Sequence, residues 1–225
     1  MASDPQKDKY SEVSPAIQVM VDEFFELQYR YQAALREVQT KLEILDSEFQ
    51  SKHKHNPIHH MQSRLKSIPS IIEKLQRKGL PVTMESAAKH LTDLAGVRVI
   101  CSYIDDIYLI SNLLLQQDDV RVVKERDYIQ YPKKNGYRSL HLVIEIPVFL
   151  QEGKEFIPVE VQIRTIAMDF WASLEHSLRY KGIPNIPEDI SKELHLAAME
   201  IQSLDERMQS IHNRVERLAA SSQEV

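Results

Sequence analysis

The chain has 225 residues, 43% of them hydrophobic and 27% charged, with a formal net charge of −5. That allows one good core with extensions and excludes the overall positive field of a dedicated nucleic-acid binder, though not local basic patches. A single cysteine, Cys101, lies inside an apolar run, which excludes an internal disulfide framework, fits a reducing compartment and reads as a small buried hydrophobe.

The first residues, MASDPQKDKY, carry no basic-then-apolar leader, and no apolar run approaches bilayer length, so a cytoplasmic protein with no membrane contact is expected. Residues 1–14 are polar and expected to be disordered. From Ile17 the apolar positions 17, 21, 24, 31, 35, 38, 42, 45 and 49 keep a spacing of three or four, broken only at Gln28, and predict one long amphipathic helix within residues 15–52. A second helix is expected from Pro57 to about Lys78, interrupted near Pro69, and a third from Thr83, as N-cap, to Leu94. After Gly96 the stretch VRVICSYI reads as a strand, Asp105 as the cap of a helix through Gln116, and VRVVKERDYI as the next strand. QYPKKNGYRS is a loop; LHLVIEIPVFL and FIPVEVQIR are two strands joined by the turn QEGKE. Thr165 should cap a helix through Lys181, closed by Gly182, with Phe170, Trp171 and Leu174 in the core. Beyond Pro184 and Pro187, apolar residues from Ile190 to Leu218 repeat the helical spacing. The plan is α+β: a small mixed β-sheet flanked by helices over residues 53–183, between a helix at 15–52 and an oligomerisation helix at 184–225. The two terminal helices could pair with each other or build an oligomer, and spacing alone does not choose.

Several constellations could carry chemistry. In RLKSIPSIIEKLQRKG a helix restarting at Pro69 would present free backbone N–H groups, with Arg64, Lys66, Ser70 and Lys74 around them, as a polyphosphate cradle built without a glycine loop. A solvated basic helix face is the plainer alternative. In TDLAGVRVI an acid, Asp93, precedes a strand carrying Arg98; the acid could hold Mg²⁺ and the arginine could stack on a base, or the two could simply pair. The loop PKKNGYRSLH offers Lys133, Lys134, Arg138 and the aromatic face of Tyr137, suited to stacking a purine or single-stranded RNA, or no more than a basic hairpin loop. On the last strand Glu160, Gln162 and Arg164 share one face, and His141 and Glu145 share a face of its neighbour; Glu160 there could ligate Mg²⁺ or act as a base, although most polar strand faces are only solvated. HKHNPIHH holds His53, His55, His59 and His60, a set that could take Zn²⁺ but matches no standard spacing.

Taken in order, RLKSIPS, DLAGVRVI, NGYRSLH and EVQIRT resemble the synthetase domain of the RelA/SpoT family, in the single-domain form called small alarmone synthetases, over roughly residues 50–185. The resemblance implies transfer of the β,γ-pyrophosphoryl group of ATP to the 3′-hydroxyl of GDP or GTP, giving ppGpp or pppGpp and AMP. It implies that Arg64 and Arg98 sandwich adenine, that Lys66, Ser70 and Lys74 hold the ATP phosphates, and that Asp93 and Glu160 bind Mg²⁺, with Glu160 also drawing the proton. Tyr137 would stack guanine, with Arg126, Lys133, His141 and Gln162 as further acceptor contacts. A homotetramer is implied as well. No His-Asp dipeptide occurs, so synthesis without hydrolysis is expected. HNPIHH and NGYRSLHLVIEIPV look closer to the RelP than the RelQ type. His60 and Asp169 stand where RelQ-type members bind pppGpp through an aromatic residue and an asparagine, so activation by pppGpp is not expected. Two rivals remain. A polymerase-β-like nucleotidyltransferase needs Asp-x-Asp on a strand, which adjacent Asp105 and Asp106 do not supply. An oligomeric RNA-binding regulatory module would use the loop from Lys133 to Arg138.

Overall fold

A computed structural model of the chain describes residues 15–180 and 187–222; the expectations for residues 1–14, for Lys181 and Gly182 and for the break at Pro184 lie outside them. In chain order the elements are α1 (Pro15–Lys52), β1 (Ile58–Leu65), α2 (Ile68–Arg77), α3 (Met84–His90), β2 (Ala95–Cys101), α4 (Ile104–Leu115), β3 (Arg121–Asp127), β4 (Leu140–Leu150), β5 (Gly153–Thr165), α5 (Ile166–Tyr180) and α6 (Glu188–Ser221). The five strands form one mixed sheet in the order β1-β2-β5-β4-β3, with β2 and β5 parallel and every other pair antiparallel. The α+β plan read from the sequence is the plan observed.

One face of this sheet is the core. Val159, Val161 and Ile163 of β5 are wholly buried, as are Leu142 and Ile144 of β4, and α1 lies across β1, β2, β4 and β5, with α4 against β2 and β5. The predicted stripe of α1 does the covering: Tyr31, Leu35, Val38 and Leu42 are buried, all in the one large core. α1 therefore packs on its own sheet. No helix among the described residues is long and apolar enough to cross a membrane.

Four local expectations are corrected. Residues 58–65 are a strand rather than the first half of a helix. Their apolar residues, Ile58, Met61 and Leu65, fall at helical intervals, but a register irregularity between Ile58 and His60 shifts the alternation, so Met61 and Leu65 face the core after the shift. The Ser63 hydroxyl donates to Gln39 Oε1 of α1 (2.9 Å), which confirms that side. Helix α3 stops at His90, short of Leu94, because the chain must turn extended at Leu91 to bury both leucines and let Lys66 N–H reach the Leu94 carbonyl (2.8 Å). Thr83 does cap it, accepting from Ser86 N–H at 3.1 Å. In α4 the cap position is Tyr103, whose N–H donates to Asp106 Oδ2 (3.0 Å); Asp105 instead bonds Gln209 of α6. Finally, Trp171 is buried but Phe170 and Leu174 are exposed, and with Ile166 and Leu178 they make an apolar stripe along α5.

Helix α6 packs on α5 and α4, yet Leu204, Met208, Ile211, Val215 and Leu218 of its predicted stripe stand exposed. Apolar side chains at helical spacing on two adjacent helices form a surface larger than scattered exposed residues account for. Within the subunit, α1 covers the core face of the sheet. Leu42, 0% exposed, sits at its centre: L42A should cost about 2–5 kcal/mol, read as a lower urea midpoint with unchanged slope, and a loss below about 1 kcal/mol would mean that α1 is not part of the folding unit.

Candidate active site

The other face of the sheet is open, and strand register fixes what stands on it. Arg126 of β3, His141 of β4, Gln162 of β5, Arg98 of β2 and Gln62 of β1 lie opposite one another in a single row. The adjoining row runs Val143, Glu160, Gly96, Arg64. Alternation sends both rows to the side away from α1. Gly96 contributes no side chain, and a cavity of about 300 Å³ lies at this place, lined by Arg64, Lys66, Asp93, Arg98, Glu160 and Gln162 among others.

The start of α2 closes one end. Lys66 precedes the helix and Lys74 lies on it, and both ammonium groups donate to Asp93 Oδ2, at 3.0 and 2.5 Å. Burial works to raise the Asp93 carboxyl, but the hydrogen bonds from Lys74 and Lys66 outweigh it and hold the group below the usual carboxylate range. Its second oxygen, Oδ1, is buried and makes no hydrogen bond. Ser70 is at the first turn of the same helix, accepting from the Ser67 hydroxyl (3.0 Å). Pro69 occupies the first turn, where its missing N–H costs no helical hydrogen bond.

A closed circuit of polar contacts organises the other end. Gln162 Nε2 donates to Glu160 Oε2 (2.8 Å); Arg164 Nη2 donates to Gln162 Oε1 (2.7 Å) and to the Tyr137 hydroxyl (3.1 Å). The Tyr137 hydroxyl shares a hydrogen bond with His141 Nε2 (2.8 Å), and His141 Nδ1 lies 3.5 Å from Glu160 Oε1. Burial pushes the Glu160 carboxyl up, but the contacts from His141 and Gln162 prevail and leave it lowered. Glu160 is thus anionic at neutral pH. Tyr137 is pushed up by burial despite Arg164 beside it. Lys133 Nζ sits 4.5 Å over the Tyr137 ring and 4.6 Å over that of Tyr128, to whose hydroxyl Arg126 donates (3.2 Å).

Of the residues singled out in the sequence, Arg64, Lys66, Asp93, Arg98, Glu160 and Gln162 meet in the cavity, Lys74 reaches it through Asp93, and Tyr137 and His141 join it through Glu160 and Arg164. Ser70, Arg126 and Lys133 stand outside its lining. One further participant, Arg164, has no role in the sequence reading, and another, Asp169, enters that reading only at the position where RelQ-type members bind pppGpp. Arg164, 3% exposed, holds Gln162 and Tyr137 in place, and Asp169 of α5 lies 3.6 Å from Arg98 and 3.4 Å from Arg164. Arg164 was visible as part of the polar row of β5, but nothing in the sequence gave its partners. Asp169 has two guanidinium neighbours, so its charge is largely offset within the chain, and the repulsion of a polyphosphate expected from it is weakened. The histidines of residues 53–60 diverge: His55 bonds Asp106 (3.0 Å), His53 packs on Phe49, and His59 and His60 are exposed on β1.

Chemically, the arrangement sets two ionised carboxylates among cations in a partly enclosed space. An all-oxygen pair with one buried, unbonded oxygen fits a hard divalent cation such as Mg²⁺, and four cationic side chains nearby fit a polyphosphate. The lysine pairing of Asp93 is open to direct test. A carboxyl held low in the folded state supports folding above its unfolded value, about 3.9, and that support is lost as pH falls through the folded value. K74M is therefore expected to move both the NMR titration of Asp93 and the acid-unfolding midpoint to higher pH; an unmoved Asp93 titration contradicts the pairing.

Known proteins share this fold and much of this sequence. Residues 63–184 match the region found in RelA/SpoT proteins. The chain is 50% identical over 186 residues to GTP pyrophosphokinase YwaC of Bacillus subtilis (strain 168), spanning 83% of this chain and 89% of that protein. The crystal structure of small alarmone synthetase 2 from Bacillus subtilis superposes with a TM-score of 0.77 at 49% identity, over 86% of this chain and 99% of that one. Small alarmone synthetase 1 from the same organism, bound to its product pppGpp, gives 0.77 at 39% identity, over 82% and 94%. With this sheet, this row of side chains and these relatives, the chain belongs to the RelA/SpoT family, among its small alarmone synthetases.

Proposed function

We infer that the protein is a GTP pyrophosphokinase: it transfers the β,γ-pyrophosphoryl group of ATP to the 3′-hydroxyl of GDP or GTP. The 3′-oxygen attacks the β-phosphorus, the bond from that phosphorus to the oxygen bridging the α-phosphate breaks, AMP leaves with the bond's electrons, and the hydroxyl proton passes to a base. The observation that carries this reading is the meeting of Asp93 and Glu160 in one cavity, between the Lys66/Lys74 pair and the Tyr137 ring.

Roles follow from position and charge. Arg64 and Arg98, on adjacent strands at the cavity wall, would take the adenine between two guanidinium planes. Lys66, Lys74 and Ser70, at the start of α2, would bind the ATP phosphates, helped by backbone N–H groups of that first turn. Once a polyphosphate supplies the negative charge, the two lysines can leave Asp93 for it. Mg²⁺, held by Asp93 and Glu160, would neutralise charge on the transferring group. Tyr137 would stack the guanine, with Lys133 moving from its face, and Arg126, His141 and Gln162 would contact the acceptor. Glu160 stands beside the acceptor side and takes the proton; because its contacts keep it a weak base, most acceleration comes from alignment and cationic stabilisation.

The apolar stripes of α5 and α6 support assembly, and a tetramer is the expected state, with residues 53–183 as the synthetase unit and 184–225 joining subunits. A solution mass near that of a single 26.2 kDa chain would rule it out. The buried lone cysteine supports a cytoplasmic location.

Incubation with labelled ATP and either acceptor should give a new guanosine product carrying the label, together with AMP; an RNA shift without turnover would favour the binding-module alternative. E160Q should lower kcat by at least about 10³-fold with an unchanged melting profile and mass. Near wild-type turnover by E160Q would remove Glu160 from the chemistry.

A further inference from the structure

We propose that Asp205 of α6 is a positioning residue for the acceptor nucleotide: anchored on Thr165, it holds the Tyr137 loop from behind, through Arg138, in the orientation that receives the guanine. The proposal rests on the synthetase reading and assigns acceptor binding to a helix that takes no part in the cavity.

The contacts are specific. Asp205 is 5% exposed although it lies on a mostly solvated helix. Its Oδ2 accepts from Thr165 Oγ1 at 2.8 Å, and that same hydroxyl accepts from Met168 N–H (3.1 Å), capping α5 at the end of the strand that bears Glu160. Arg138, the residue after Tyr137, is 7% exposed, and its Nη1 lies 4.0 Å from Asp205 Oδ2. Neither Nε nor Nη1 of this guanidinium makes a hydrogen bond, so a nearby carboxylate matters to keeping the charge buried. Burial pushes the Asp205 carboxyl up more than Thr165 and Arg138 pull it down, consistent with a charge contact at the limit of ion-pair distance.

Two further contacts press α6 on the same loop. Gly136, next to Tyr137 on the other side, has φ +87°, and a Cβ there would stand 2.4 Å from Ala198 Cβ of α6. Only glycine satisfies both the backbone and the approach. Trp171 Nε1 donates to the Leu194 carbonyl (3.0 Å), locking α6 against α5. The stacking ring is therefore flanked in sequence by two residues that both rest on α6. Releasing the helix would let the loop drift without touching Asp93, Lys66 or Lys74, so acceptor affinity should suffer while ATP affinity does not.

The test is a split of kinetic constants. D205N retains an oxygen for the Thr165 hydroxyl but removes the charge facing Arg138. With ATP and GDP varied separately, D205N should raise the KM for GDP about tenfold and leave the KM for ATP and kcat within about twofold. Equilibrium dialysis should show the same loss of GDP affinity without turnover. The emission of Trp171, the chain's one tryptophan, reports whether α6 stays docked. Should D205N shift that emission, R138M carries the test from the other side, and the double variant should be no worse than the poorer single one. An unchanged KM for GDP, or an equal rise in both KM values, overturns the proposal. Absence of alarmone product from the wild type would instead overturn the synthetase reading, leaving dialysis to decide whether Asp205 governs GDP binding.

Discussion

Strand β5 is hydrogen-bonded on both sides, in parallel to β2 and antiparallel to β4, and this pairing is what the rest of the molecule depends on. A strand in the middle of a sheet has no freedom of register: a slip of one residue would exchange its faces. Here an exchange would carry Val159, Val161 and Ile163 into the cavity and put Glu160, Gln162 and Arg164 under α1. Core packing therefore fixes the position of the Glu160 carboxylate. Parallel pairing with β2 adds the second consequence, since it aligns Gly96 with Glu160 and Arg98 with Gln162, so that the strand bringing an arginine also brings the gap beside it.

The charges on the open face balance in a way that suits a polyanion. Asp93 accepts from two lysines and Glu160 from an amide and an imidazole. Without nucleotide, each carboxylate has partners that prevent it from being an isolated charge in a partly buried place. On the proposed reading, phosphates at the two lysines would exchange one anion for another and free Asp93 for a divalent cation. These contacts hold both side chains in place without a ligand, and preorganised groups of this kind are what electrostatic stabilisation of a transition state requires.

Much of this was legible in the sequence, for a physical reason. Period-2 alternation in β4 and β5 and three-four spacing in α1 are direct imprints of one-sided burial, and they placed Glu160 on a polar face correctly. β1 was misread because an irregular register gave a short edge strand the apolar spacing of a helix. The end of α3 was misplaced because Leu91 and Leu94 could belong to either element, and only the sheet decides. In α5 the stripe of Phe170 and Leu174 looks like a core stripe, and sequence spacing cannot say whether the covering surface is the same chain or another. The contacts of Arg164 and Asp169 escape a sequence reading because their partners come from separate segments of the chain, β2, the loop before β4, and α5. Such contacts have no local signature.

Helix α6 joins these themes. One of its faces carries Ala198 and Asp205 against the Gly136–Arg138 loop and α5, while another exposes Leu204, Met208 and Ile211. A helix of this length gains most of its stability from packing rather than from intrinsic propensity, and within one subunit it packs mainly on α5 and α4. Covering its exposed face with apolar surface would stabilise the docked position, and the docked position is the one that supports Gly136 and Arg138. Acceptor binding and assembly would then draw on the same helix, so each would favour the other by the reciprocity that binds any two events sharing one conformational equilibrium.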